Sequence, residues 1–171
     1  MELIRRADVH VYALAENYRN AVSIIYESRK IAAVRGRNVE VIPMRKTFGQ
    51  VKYLYSDQIL EEIEARPPYN QWAILCRYQK SIPYFNRLLY NNGIRYENFH
   101  QGGLTKDELI QKMNNNSVKV LTVHAAKGLE WNNVTVHGTR YGEDDDEETC
   151  IRYVGATRAK DNLYWLRSRK S

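Results

Sequence analysis

Cysteine is nearly absent. The chain has two, Cys76 and Cys150, and no C-x-x-C pair. That excludes a disulfide framework and a cysteine-built zinc site, and it suits a reducing compartment. No apolar run approaches the roughly 20 residues that a membrane helix needs. Residues 1–6 lack the apolar stretch of a signal peptide. The expectation is a cytoplasmic protein with no membrane partner. The nucleotide-binding loops are missing too. No G-x-x-x-x-G-K-[ST] occurs, and no G-x-G-x-x-G; Lys127-Gly128 has the residues reversed and no upstream glycine. The chain therefore has no triphosphate cradle of its own. No internal repeat is visible. The low-complexity segments are the triplet Asn114-Asn115-Asn116 and an acidic run over residues 143–148.

What is present is an ordinary soluble composition over 171 residues, 43% hydrophobic and 27% charged, enough for one compact domain. A globule of this size buries roughly 70% of the surface of its unfolded chain. The net charge is +6, and six acids sit in one run, leaving 14 acidic against 26 basic residues elsewhere. A basic body with one acidic loop fits a polyanionic partner, or a surface kept basic for solubility. The acidic run reads as a solvated loop leading into a helix, with Glu147 and Glu148 favouring the helix N-terminus. It lies too far past Val136 to be a magnesium-binding strand end. Thirteen tyrosines can stack on bases or fill the core.

Short β-rich runs alternate with helical spacing. Strands are expected at residues 9–14, 39–42, 72–76, 118–123, 134–136 and 162–166, with a short extended piece at 94–96. Helices are expected from Val22 to Ala32, from Ser56 to before Pro67-Pro68, from a Ser81 cap to Asn91, from a Thr105–Glu108 capping box to Met113, and from Glu147 to Thr157. Alternating strands and helices, with strands apolar on both faces, imply a parallel sheet covered on two sides. Ligands in such sheets gather at the carboxyl ends of strands, so the loops after Leu14, Cys76 and Val123 are the places to look.

Three segments carry a resemblance. Leu14-Ala15-Glu16-Asn17-Tyr18-Arg19 is followed by Asn20. Val120-Leu121-Thr122-Val123-His124-Ala125-Ala126-Lys127-Gly128-Leu129-Glu130-Trp131 is the second, and Tyr153-Val154-Gly155-Ala156-Thr157-Arg158-Ala159-Lys160 the third. In this order and spacing they resemble motifs IV (near 14–20), V (near 118–131) and VI (near 147–160) of the UvrD/Rep/PcrA-like superfamily 1 helicases. A weaker fourth, Ala73 to Ser81, resembles motif IVa. Asn20 stands where the family usually has serine.

The resemblance implies a RecA-like α/β domain over residues 1–171, a parallel sheet flanked by helices, without its own P-loop. It implies the C-terminal motor domain of an ATP-dependent DNA helicase. Leu129-Glu130 after Lys127-Gly128 points to the 3′-to-5′ branch. Arg19 and Arg158 are then arginine fingers. Such a group, supplied from a facing domain, can be worth 10³–10⁵ in rate, and arginine suits the role because its fork stays charged. Tyr18 would stack on adenine, Glu130 would accept from ribose hydroxyls, and Gly128 would allow a tight turn near the nucleotide. Thr122, His124 and Arg77 would contact single-stranded DNA. Each has an ordinary alternative: a helix-start salt bridge, a boundary tyrosine, a solvated carboxylate, a structural histidine or a surface arginine. Gly155 and Ala156 would let their helix approach a neighbouring domain.

The implied cofactor is ATP with Mg2+, shared with the first RecA-like domain of the same helicase, and no metal is assigned to this chain. The implied partners are that domain and single-stranded DNA, in repair or replication. The P-loop domain is absent and only residues 98–117 occupy the place of the family's accessory insert, so the expectation is a fragment or split product, inactive alone as an ATPase. The competing reading is a stand-alone nucleic-acid-binding or helicase-interacting module.

Overall fold

The computed structural model describes residues 15–34, 36, 40–99, 103–140 and 146–167. In chain order the elements are β1 (Glu16–Asn17), α1 (Val22–Ala33), β2 (Ile42–Pro43), β3 (Gln50–Tyr55), α2 (Ile59–Ala65), β4 (Trp72–Cys76), α3 (Ile82–Asn91), β5 (Tyr96–Asn98), α4 (Lys106–Asn114), β6 (Val118–Thr122), β7 (Trp131–His137), α5 (Asp146–Ala156) and β8 (Ala159–Arg167). Six strands form one sheet in the order β3-β8-β7-β4-β6-β5, and every pairing is parallel. β1 and β2 pair in parallel as a separate ribbon. The strand expected at 9–14 lies outside the described residues.

Period-two alternation, with a core on each face, explains why β4 reads as an unbroken apolar run. Trp72, Ile74 and Cys76 of β4 join one core with Ile59 and Ile63 of α2 and Phe85 and Leu89 of α3. Ala73 and Leu75 face the other core, with Ile24 and Ile31 of α1 and Ile151 and Ala156 of α5. β8 does the same, Tyr164 and Leu166 to the first core and Leu163 and Trp165 to the second. Burial pushes the Cys76 thiol up to about 12, so it is a packing group and not a nucleophile.

Several expectations are corrected. β3 was not foreseen: it is an edge strand whose residues are exposed or half-buried, so its apolar signal is weak. The strand expected at 39–42 is only Ile42–Pro43 among the described residues. Ser81 does not cap α3 through its side chain; it closes a 3-10 turn, Gln79–Ser81, that runs into the helix. The capping box at Thr105 and Glu108 is present in both halves, and it starts the helix that fills much of residues 98–117. Gly155 and Ala156 serve their own sheet. A Cβ on Gly155 would stand 3.1 Å from Val136 Cγ2, and Ala156 is fully buried, so small residues here let α5 lie close on β7.

Candidate functional site

The expected site residues fall at two opposite ends of the sheet. Glu130 and Arg158 immediately precede β7 and β8, and the Trp131 amide donates to the Arg158 carbonyl at 3.0 Å, so the two loops lie side by side. Arg19 reaches the same place from the turn after β1. That turn is shaped by Asn17, whose Oδ1 accepts from the amides of Arg19 at 3.0 Å and Asn20 at 2.9 Å, an Asx-type arrangement.

Glu130 holds two cations. Its Oε2 is 2.6 Å from Arg19 Nε and its Oε1 is 3.0 Å from Lys160 Nζ. Arg158 is half-buried and donates to neutral acceptors: Nε to the Val154 carbonyl at 3.2 Å, Nη1 to the Leu129 carbonyl at 3.3 Å and Nη2 to Thr157 Oγ1 at 3.3 Å. Burial, and then the nearby charge of Arg19, hold the Arg158 guanidinium below its ordinary value, with Glu130 opposing. Arg19, Lys160 and Arg158 together outweigh the one carboxylate between them, which favours an anion. Tyr18 is 66% exposed. Its hydroxyl donates to Glu16 at 2.6 Å, and that bond and charge push its own proton affinity up. Gly128, in the loop returning to β7, has φ +85°, a left-handed conformation that side chains disfavour, and open space where a Cβ would sit.

The second group sits at the carboxyl ends of β4 and β6. Thr122 ends β6, and its Oγ1 accepts from the Ala125 amide at 3.2 Å, fixing the 3-10 turn His124–Ala126. His124 is exposed on that turn. Arg77, just past β4, is only 14% exposed and paired twice, Nη2 to Glu147 at 2.9 Å and Nε to Glu148 at 3.1 Å. Its burial alone would lower its proton affinity; Glu148 and Glu147 reverse that and raise it. Glu148 is buried and also accepts from the Arg140 amide at 2.8 Å. The described end of the acidic run lies in the first turn of α5, as expected for Glu147 and Glu148, and the buried Glu148 also clamps Arg77; the loop before it lies outside the described residues. A cavity of about 680 Å³, lined by Tyr53, Tyr78, His137, Arg152 and Trp165 among others, opens at the carboxyl end of β8, apart from the Arg19–Glu130–Arg158 group.

Carboxyl strand ends thus account for Arg77, Thr122 and His124, but not for Glu130 and Arg158. The connections into β7 and β8 return to the amino edge of the sheet, and these two residues sit at the end of that return. Sequence reasoning assigned nothing to Lys160, Asn20 or Arg45. Lys160 and Asn20 stood inside or beside the motifs and could have been found there. Arg45 has no local signal, because its partners are Arg19, Lys160 and Asp161.

Comparison with known proteins agrees with this architecture. Residues 98–170 match the family model of the UvrD-like helicase C-terminal domain. A segment of 52 residues, 30% of this chain and 10% of the relative, is 42% identical to the Gabija protein GajB of Bacillus cereus (strain VD045). Another of 78 residues is 37% identical to DNA helicase II of Rickettsia typhi and covers 38% of this chain and 12% of that protein. The matched segments span about a tenth of these relatives. Among solved structures, the C-terminal domain of a possible DNA helicase from Lactobacillus plantarum WCFS1 superposes with a TM-score of 0.59 at 16% identity, over 88% of this chain and 87% of that one. The chain resembles the C-terminal domain of UvrD-like helicases and has the RecA-like fold of helicase C-terminal domains.

Proposed function

We propose that this chain is the second motor domain of an ATP-dependent 3′-to-5′ DNA helicase or translocase, completing an ATP site whose phosphate loop lies on a facing RecA-like domain. The observation that carries the reading is that Arg19 and Lys160, from two separate segments, converge on Glu130, with Arg158 close enough to feel both Arg19 and Glu130. The residues fit a nucleotide. The cations match its phosphates, the exposed Tyr18 ring offers a stacking face, and Glu130 has oxygens for hydroxyl donors. ATP with Mg2+, held mainly by the facing domain, would supply the phosphoanhydride that is cleaved.

The chain's own residues then act by charge and position. Arg158 is already partly desolvated and is held by three neutral acceptors, so it needs little rearrangement to meet developing negative charge. Arg19 is held by Glu130 and can exchange that carboxylate for phosphate oxygens when the two domains close. Glu130, released from Arg19, remains tied to Lys160 and can accept from a ribose.

At the other end of the sheet, Thr122 uses a lone pair on Ala125 and keeps its O–H to donate to a DNA phosphate. The exposed His124 is the second such contact. Arg77 is mostly buried and committed to two carboxylates, so the grip rests chiefly on Thr122 and His124 and carries no base readout. Strands of five to nine residues separate the two ends by about 17–30 Å. Domain closure at the nucleotide end would therefore move the strand-binding end as a rigid body.

The test is ATP turnover. The pure chain on single-stranded DNA should show none. Paired with a P-loop-bearing first motor domain, it should support turnover that Arg158→Ala lowers by about 10³-fold or more. Turnover by the pure chain that Arg158→Ala abolishes would refute the proposal, as would full turnover by the Arg158→Ala pair.

A further inference from the structure

Three cross-links join the turn that carries Arg19 to the strand start that carries Arg158. Asn20 makes the inner one. It is 3% exposed, its Oδ1 accepts from Asn17 Nδ2 at 3.0 Å, and its Nδ2 donates to the Ala159 carbonyl at 2.6 Å and the Thr157 carbonyl at 3.3 Å. Those two carbonyls flank Arg158. The Ala21 amide adds a bond to the Lys160 carbonyl at 2.7 Å. Arg45 closes the outer side. Its Nη1 donates to the Arg19 carbonyl at 2.7 Å and the Lys160 carbonyl at 3.2 Å, and its Nη2 pairs with Asp161 at 2.7 Å. The segment bearing Arg45 is itself pressed onto β8. Gly49, at φ +70°, leaves no room for a Cβ against the Asp161 carbonyl and Ala21.

We infer that Asn20, braced by Arg45, is a positioning residue that binds the Arg19 and Arg158 backbones into one rigid unit, so that both guanidiniums meet an anion together. The inference rests on the reading of Arg19 and Arg158 as nucleotide contacts. Asn20 touches no ligand, since it is buried and its side-chain groups are spent on Asn17, Thr157 and Ala159. Its amide supplies two donor hydrogens to two carbonyls. A serine hydroxyl supplies one and is shorter, so serine at this position cannot span the same pair. Electrostatic stabilisation depends on donors held to within about half an ångström, and that is the property a shared backbone brace protects.

The experiment uses the 171-residue chain, inorganic tripolyphosphate as the probe, and the Nε–Hε NMR signals of Arg19 and Arg158. In the unmodified chain both signals should shift along one titration curve. Arg19→Ala and Arg158→Ala should each weaken binding about tenfold or more. In Asn20→Ser and Asn20→Ala the two arginines should titrate separately, and overall affinity should fall about tenfold, the scale of one or two lost buried hydrogen bonds. Arg45→Gln cuts the outer brace without opening the core and should also split the two curves; it carries the test should Asn20→Ala not fold. A residue that only supported the fold would lower the melting temperature and leave the two curves coincident, and that result overturns the inference while leaving the site reading intact. Binding unaffected by Arg19→Ala and Arg158→Ala, or no shift at either arginine, overturns the site reading and the inference with it.

Discussion

Glu130→Gln keeps the size of the side chain and removes its charge from between Arg19 at 2.6 Å and Lys160 at 3.0 Å. The side chains of Arg19, Glu130 and Lys160 are 49%, 35% and 36% exposed, so each pair is worth only the solvent-screened value of roughly 0.2–1 kcal/mol. Glu130 also offsets the repulsion between Arg19 and Arg158. Losing both pairs and that offset together should cost about 0.5–2 kcal/mol at low salt. For a domain of this size that is a fall in Tm of roughly 1–8 °C. At 1 M salt, where screening acts over about 3 Å, most of the difference should vanish. Tripolyphosphate should in turn stabilise the Glu130→Gln chain more than the unmodified one, because it replaces the lost anion. The assay is thermal and urea unfolding at several salt concentrations, with and without tripolyphosphate. A destabilisation that is independent of salt, or a Glu130→Gln chain more stable than the parent at low salt, would refute the electrostatic account.

Two further outcomes follow from packing and from burial. Gly155→Val places branched carbons where even a Cβ would lie 3.1 Å from Val136; overpacking of this kind should cost about 1–3 kcal/mol in urea unfolding, and no loss would mean that α5 is not pressed on β7. Burial holds the His137 imidazole, edge-on to Phe85 at 5.0 Å, below its ordinary value of 6.5. The unfolded chain then takes up the proton first, so stability should fall as pH drops below about 6.5 and level off below the folded value. His137→Gln should flatten that part of the pH–stability curve, and identical slopes in the two proteins would contradict it.

The most legible parts of this fold were those whose cause is local or doubly repeated. β4 is buried on both faces and all five of its residues are apolar, so the run was unmistakable. The capping box of α4 is a contact between residues three apart, and no tertiary partner is needed to form it. β3 was illegible for the opposite reason: an edge strand half in solvent needs little apolar pattern, and it is held by backbone pairing to β8, more than a hundred residues later. Ser81 carried the right residue type for a cap, but at φ −84° and ψ −18° its backbone is already helical, so its hydroxyl is not placed to take the first free amides.

The sequence by itself determined the elements of the sheet's interior, which follow from residue type and spacing, and the motifs whose resemblance singled out Tyr18, Arg19, Glu130 and Arg158. Only the tertiary structure decided that Glu130 binds Arg19 and Lys160 at once, that Asn20 and Arg45 join the two arginine turns, and that Arg77 is committed to Glu147 and Glu148. Those facts depend on segments up to 139 residues apart in the chain, brought together by β-strand pairing. No spacing rule along the chain encodes a meeting of that kind.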